Sequence, residues 1–286
     1  MSDNNFGSSS IFVGMSVLIT GGSSGIGKQL AKDFSTQGAQ VVVCSDSSQS
    51  LAQTRTDFEQ AGLKVDTQEC DVRSANQVNS LADYTLRQYG HLDILINNAG
   101  YAVYRPFEES SLDEVLDLLD VNLAGAMRCA KAFLPSMIEH HSGRIVNISS
   151  IGGETIITPN AVYCAAKHGM VAWSKALRYE LAHFNVQVNV VCPAHTKTNF
   201  HDHFTFRRRD PYRRKKARSL TVEHVSAAVI FAIQKDCILT YAPWWQGLVV
   251  WALNALSFVM NPIWDWITQK RIAQLYEQIE QERKSG

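Results

Sequence analysis

The stretch Ser16-Val17-Leu18-Ile19-Thr20-Gly21-Gly22-Ser23-Ser24-Gly25-Ile26-Gly27-Lys28 constrains this chain more than any other. A short apolar run enters a glycine-rich turn, and the turn opens a helix that continues through Leu30, Ala31 and Phe34. Gly21, Gly25 and Gly27 let the backbone turn tightly and approach a ligand closely. The helix behind them aims its first N–H groups and the positive end of its dipole at the turn, which suits a pyrophosphate. A glycine trio alone also fits a plain strand-to-helix loop. The spacing Thr-Gly-x-x-x-Gly-x-Gly between a strand and a helix favours nucleotide binding.

Strand and helix patterns alternate after that turn. Residues 40–44, 65–70, 93–96, 143–149 and 185–192 read as strands, and 237–242 offers a seventh. Helical spacing fills 51–61, the stretch from 75 to 89, 112–140 and 161–182. Short loops, no internal repeat and no Pro/Ser-rich linker call for one α/β domain, a doubly wound parallel sheet with helices on both faces. The 286 residues suffice for a well-buried core. We expect a disordered tail over 1–13, the domain over 14–242 and an appended helical segment over 243–286. Lys plus Arg equals Asp plus Glu at 27 each, so nothing global points to nucleic acid. Cys44, Cys70, Cys129, Cys164, Cys192 and Cys237 are scattered without a C-x-x-C pair; most read as small buried hydrophobes in a reducing compartment, and no metal is expected. The first ten residues carry no basic and apolar leader pattern, so a cytoplasmic location is expected.

Tyr163 and Lys167 stand four apart on the helix after the fifth strand, so both project from one face. An ammonium beside a phenol favours the phenolate and lowers its pKa, which would let Tyr163 exchange a proton with an alcohol or carbonyl. Taken alone, the pair also fits a solvated helix face. Ser149 and Ser150 lie where the fifth strand ends, the edge at which open α/β folds bind ligands. Either could bond a substrate oxygen or simply cap the turn before Ile151. Asn122 sits mid-helix, where asparagine is a poor helix former and often bonds a neighbouring carbonyl.

Together these residues resemble the short-chain dehydrogenase/reductase family. The resemblance rests on 20–27, Asp71-Val72, Asn97-Asn98-Ala99-Gly100, Asn122, Ser150, Tyr163 to Lys167, and Pro193 to Thr198, in order and spacing over about residues 14–200. It implies a seven-stranded Rossmann fold, a nicotinamide cofactor, NAD(P), and hydride transfer to or from a carbonyl/alcohol pair. By that resemblance Tyr163 is the acid/base, and Lys167 holds the nicotinamide ribose and tunes the tyrosine. Ser150 polarises the substrate oxygen and Asn122 holds a relay water. Cofactor contacts would come from Gly21, Ser23, Ser24, Gly25, Ile26 and Gly27, and from Asp71 and Val72 at the adenine. Asn98, Ala99 and Gly100 would flank the adenosine side, and Pro193, Thr196 and Thr198 would reach the nicotinamide. The family's Pro-Gly after the sixth strand is Pro193-Ala194 here, which puts the backbone contacts of Thr196 and Thr198 in question. Family members commonly dimerise through two long helices, here 112–140 and 161–182, so a homodimer is expected.

The end of the second strand should meet the adenosine ribose, where an arginine pairs with a 2′-phosphate and an acid bonds a free 2′-hydroxyl. This chain has Ser45-Asp46, with the carboxylate where NADP-preferring relatives carry arginine, and Ser24 lacks a basic replacement. NAD is therefore favoured over NADP.

Two features depart from a compact family member. Residues 207–218 hold eight Lys or Arg within the 194–220 segment that would cover substrate, and 237–264 has no charged residue but is rich in tryptophan. Pro243 and Pro262 bracket an apolar helical pattern whose polar residues collect on one stripe. An interfacial membrane helix, a lid over an apolar pocket and a true span all compete for it. A basic cluster beside an apolar anchor favours an anionic membrane surface through 207–218 and 244–266. Residues 265–284 read as an amphipathic helix with Trp266, Ile272, Leu275 and Ile279 on one side. The expectation is a peripherally membrane-associated oxidoreductase of a hydrophobic, lipid-like substrate, similar in layout to 3-ketodihydrosphingosine reductases. A soluble reductase of steroid-like or small ketones, and a non-catalytic NAD(P)-sensing scaffold, are the alternatives.

Overall fold

A computed structural model describes residues 10–198 and 219–285. Among them, seven strands form one parallel sheet in the order β3-β2-β1-β4-β5-β6-β7. The strands are β1 Ser16–Thr20, β2 Gln40–Ser45, β3 Val65–Glu69, β4 Ile94–Asn97, β5 Gly143–Ile148, β6 Val186–Pro193 and β7 Leu239–Ala242. β1, β4 and most of β2, β5 and β6 are buried on both faces, as the continuous apolar runs of the sequence require. Alternate side chains feed two cores. Val17, Ile19, Val41 and Val43 face one side with Leu30 and Phe34 of helix α1 (Gly25–Thr36) and Val229 of α7 (Val222–Gln234). Leu18, Val42, Leu95 and Ile145 face the other, against α3 (Ala75–Tyr89), α5 (Gly125–Glu139) and α6 (Ala161–Leu181). Helix α2 (Ser48–Gln60) covers β2 and β3 and completes the first layer.

The strand order reverses between β1 and β4, and this places the glycine turn and Asn97–Gly100 side by side at the carboxyl edge of the sheet. The expected helix over 112–140 divides there. Helix α4 (Leu112–Leu119) passes through a π-helical turn, Asp120–Ala124, into α5. Within that turn Asn122 Nδ2 donates to the Leu118 carbonyl at 3.0 Å and to the Tyr101 carbonyl at 2.8 Å. Such single π turns concentrate at functional positions.

The C-terminal segment also departs from expectation. Instead of one apolar helix, α8 (Gln246–Ala255) ends at Leu256, whose backbone leaves the helical region, and α9 (Ser257–Ser285) begins at once. Pro262 lies inside α9 rather than bounding it; proline removes one i→i−4 bond without ending that helix. No helix among the described residues is long and apolar enough to cross a membrane, so a true span through 244–264 is not supported. α8 docks through Val250 and through Gly247, where a Cβ would fall 2.7 Å from the Tyr241 ring. In α9, Ile279 is buried and Ile272 and Leu275 are half-buried, but Trp266 is exposed and does not share their docked face.

Candidate active site

The glycine turn is held from β4. Asn98 Nδ2 donates to the carbonyls of Thr20 and Gly21, both at 3.0 Å, and Thr20 Oγ1 accepts from the N–H groups of Asn98 and Ala99 at 3.0 Å. A side chain on Gly27 would fall 2.3 Å from the Gly21 carbonyl oxygen, so only glycine lets the helix start this close. Gly21 has φ +61, which favours glycine. Ser24 precedes α1 in extended conformation, its side chain makes no cap hydrogen bond, and the first turn has no acidic residue. The first-turn N–H groups therefore lack intrahelical acceptors and meet no competing carboxylate. This donor cradle fits the pyrophosphate of a dinucleotide. The Ile26 side chain packs into the core, leaving its backbone as the available part, and Ser23 is fastened through its carbonyl to Thr54 Oγ1 at 3.0 Å.

At the end of β2, Ser45 is buried and Asp46 exposed, with a contact of 3.4 Å from Ser45 Oγ to Asp46 Oδ1. None of the ion pairs among the described residues involves Asp46. After β3, the Asp71 carboxylate is gripped by Arg73 (Nε at 3.0 Å to both oxygens, Nη2 at 2.8 Å), whose hydrogen bonds, aided by its charge, hold the carboxyl below its ordinary range. Val72 is buried, and a Cβ on Gly125 would fall 2.7 Å from its side chain, so its side chain serves α5 packing.

The four catalytic candidates gather where β4, β5 and α6 meet. A Cβ on Gly152 would touch both the Tyr163 ring (3.4 Å) and Ser150 Oγ (3.6 Å), and one on Gly100 would touch Asn122 Oδ1 (2.5 Å) and Lys167 Nζ (3.6 Å). Ser150 Oγ accepts the Gly152 N–H at 3.1 Å and lies on the Tyr163 side of the turn, close enough to lower the phenol's pKa. Ser149 Oγ is turned away and donates to the Lys167 carbonyl at 3.1 Å, which makes it a structural group. Lys167 Nζ donates to the Ile148 carbonyl at 3.0 Å. Asn122 Oδ1 is buried with no protein donor. An orphaned acceptor beside an ammonium suits a bound polar group or water, as a dinucleotide site and its relay would supply.

The expected lowering of the Tyr163 pKa by Lys167 is not found. Burial pushes the phenol up to about 12, against a smaller lowering by the Ser150 hydrogen bond. Burial likewise brings Lys167 down to about 8. Both side chains are almost fully buried, and desolvation favours the neutral form of each. Tyr163 thus holds its proton at neutral pH.

After β6, Ala194 donates its N–H to the Ala242 carbonyl at 2.7 Å, so the methyl in place of the family's glycine is accommodated. Pro193 pairs with Ala242, Thr196 Oγ1 donates to the Ala194 carbonyl at 2.8 Å, and Thr196 bridges to Leu220. The Thr198 side chain lies 3.3 Å from where a Cβ on Gly25 would stand, closing the segment over the glycine turn. The basic run 207–218 lies outside the described residues.

Sequence reasoning missed a buried polar chain beneath the site, in which Asn97 Nδ2 donates to Asn147 Oδ1 and Asn147 Nδ2 to Ser174 Oγ, both at 2.8 Å. The signal was three buried polar residues in apolar patterns, which is costly unless they bond one another.

The family model described as short chain dehydrogenase matches residues 15–207. A putative ketoacyl reductase of Streptomyces coelicolor is 38% identical over 63% of this chain and 70% of its own length. The ketoacyl reductase HetN of a Nostoc species is 40% identical over 64% of this chain and 63% of its own length, and the shares of several further relatives fall to 58%. Among solved structures, an actinorhodin polyketide ketoreductase variant with NADPH is similar at TM-score 0.70 and 32% identity, over 77% of this chain and 90% of that one. A short chain dehydrogenase/reductase from Burkholderia phymatum with NAD aligns at TM-score 0.74 and 26% identity, over 83% and 92%.

Proposed function

The chain belongs to the short chain dehydrogenase family, and from that premise we propose an NAD(P)-dependent oxidoreductase that interconverts a ketone and a secondary alcohol on a hydrophobic, lipid-like substrate. The convergence of Tyr163, Ser150, Lys167 and Asn122 beside the glycine turn carries the proposal. A non-catalytic sensing scaffold has no need of a desolvated phenol set beside a serine hydroxyl.

The residues divide the work. The α1 N-terminus and the turn at 21–27 hold the pyrophosphate, Lys167 holds the ribose next to the nicotinamide, and Asp46 meets the adenosine ribose. A bound nicotinamide dinucleotide supplies or accepts the hydride. Ser150 Oγ orients the substrate oxygen. In reduction Tyr163, protonated at neutral pH, donates its proton to that oxygen as the alcohol forms. Asn122 Oδ1 holds the water that returns a proton toward the tyrosine.

Asp46 supports a preference for NAD, since an exposed carboxylate with no basic partner among the described residues repels a 2′-phosphate. The relatives named for ketoacyl reduction support an acyl-chain ketone as substrate. Exposed Leu248 and Trp251 on α8, with Trp244 (75% exposed) before it and Trp266 after it, support contact with a membrane surface at the edge where substrate enters. β7 leads directly into α8 from the carboxyl edge of the sheet. Exposed Leu112 and Leu116 on α4 support a homodimer through α4, α5 and α6.

The test is nicotinamide absorbance with NADH and NADPH across long-chain 3-keto acyl substrates, steroids and small ketones, with and without anionic vesicles. We expect NADH-dependent reduction of long-chain ketones, stimulated by vesicles. Turnover of small ketones only, indifferent to vesicles, rejects the lipid and membrane parts of the proposal. Dinucleotide binding with no turnover of any substrate rejects the enzyme.

A further inference from the structure

Asp117, on α4, touches neither the glycine turn nor the catalytic candidates, yet two bonds end on its carboxylate. Arg73 Nη1 donates to Oδ1 at 2.5 Å, and the Tyr101 hydroxyl donates to Oδ2 at 2.6 Å. Each partner belongs to a different half of the site. Arg73 is the residue that grips Asp71 after β3, where the adenine end is expected. Tyr101 follows Gly100 directly, and its carbonyl accepts the Asn122 amide at 2.8 Å.

We propose that Asp117 and Tyr101 are positioning residues: by anchoring the Tyr101 hydroxyl, Asp117 fixes the carbonyl that orients the Asn122 amide, and through Arg73 it ties that orientation to the adenosine end. The inference rests on the reading of Asn122 as part of the active site. The amide needs two acceptors to fix it, and Leu118 supplies only one from its own helix. The second, the Tyr101 carbonyl, lies in a loop between β4 and α4. That loop joins no strand ladder; Ala99 and Arg105 tie it to Thr20 and to the Pro159 carbonyl on either side, and the hydroxyl bond to Asp117 is the tie at Tyr101 itself. With both acceptors in place, Oδ1 is the atom left over, directed to the Gly100 side near Lys167. Arg73 and Asp117 are each 39% exposed, and an ion pair of that kind adds little by itself. The fixed object is therefore the tyrosine hydroxyl, which the carboxylate binds without competition from its own helix.

Two measurements test this, one of them independent of turnover. In the protein without added dinucleotide, the Asn122 side-chain amide resonance, assigned by its loss in Asn122→Ala, should shift in Tyr101→Phe and in Asp117→Ala. In the assay, each of these variants should lose about tenfold in kcat, and neither should lower kcat further when combined with Asn122→Ala, because coupled residues are non-additive. Arg73→Ala should weaken dinucleotide binding by about threefold or more while leaving the tyrosine bond in place. An unmoved amide resonance, or losses that simply multiply with Asn122→Ala, overturns the proposal. Tyr163→Phe run alongside separates the two levels. If it alone abolishes turnover, the site stands and only the positioning role falls; if it keeps full turnover, the reading of the site falls first.

Discussion

Lys167 Nζ stands 5.7 Å from the centre of the Tyr163 ring, and it donates to the Ile148 carbonyl. The four-residue spacing does bring the two side chains together, but both are buried. Burial outweighs mutual influence, so the phenol is held protonated and the ammonium is made easier to discharge. A protonated phenol beside Ser150 is poised to donate, which suits ketone reduction.

Burying Lys167 gives stability a definite pH dependence. Its pKa falls from 10.5 to about 8 on folding. Below pH 8 the lysine is protonated in both states and the folded protein bears the desolvation cost. Between pH 8 and 10.5 the unfolded chain binds more protons, so stability rises with pH. Lys167→Met should therefore stabilise the protein at pH 7, on the order of 3 kcal/mol, and the gain should shrink between pH 8 and 10. Thermal unfolding of both proteins across that window checks it; a gain that grows with pH contradicts it. Tyr163 acts in the opposite direction only above pH 10, where the unfolded chain gives up its phenol proton first.

The adjacent serines should separate cleanly. Ser149→Ala removes the bond to the Lys167 carbonyl and should cost about 1 kcal/mol of stability, with kcat little changed. Ser150→Ala removes the hydroxyl beside the phenol and the cap on the Gly152 N–H; it should lower kcat by about a hundredfold at a similar cost of about 1 kcal/mol in stability. Unfolding curves and kcat for the two variants decide the assignment, and a larger kcat loss in Ser149→Ala would reverse it.

Asp46 offers a charge test of cofactor choice. Asp46→Arg should raise kcat/KM with NADPH by about tenfold or more and lower it with NADH, since arginine pairs with the 2′-phosphate and the carboxylate repels it. Unchanged ratios would show that Asp46 does not face the ribose.

Much of this arrangement is legible in the sequence, for identifiable reasons. Strands buried on both faces leave continuous apolar runs such as Val17-Leu18-Ile19 and Val41-Val42-Val43, and the glycine turn marks where the first of them ends. The catalytic candidates are local to motifs whose spacing survives folding. What periodicity does not carry is contact between distant segments. The clamp of Asn98 on Thr20 and Gly21 spans almost eighty residues, and the bond of Tyr101 to Asp117 depends on how a loop lies over α4. The π turn at Asn122 was hidden because apolar spacing runs through it unbroken. The break at Leu256 was hidden because leucine is a good helix former and no glycine or proline marks the position. Helix α7 was not read at all, being apolar enough to suggest neither face.

The central claim is that Tyr163 transfers the proton. The most direct test is Tyr163→Phe, compared with the unaltered protein for turnover of a long-chain ketone and for dinucleotide affinity by fluorescence titration. The account predicts a loss of about a thousandfold or more in kcat, with affinity for the dinucleotide within about threefold because the turn at 21–27 and Lys167 are untouched. Turnover within tenfold of the unaltered protein would contradict it.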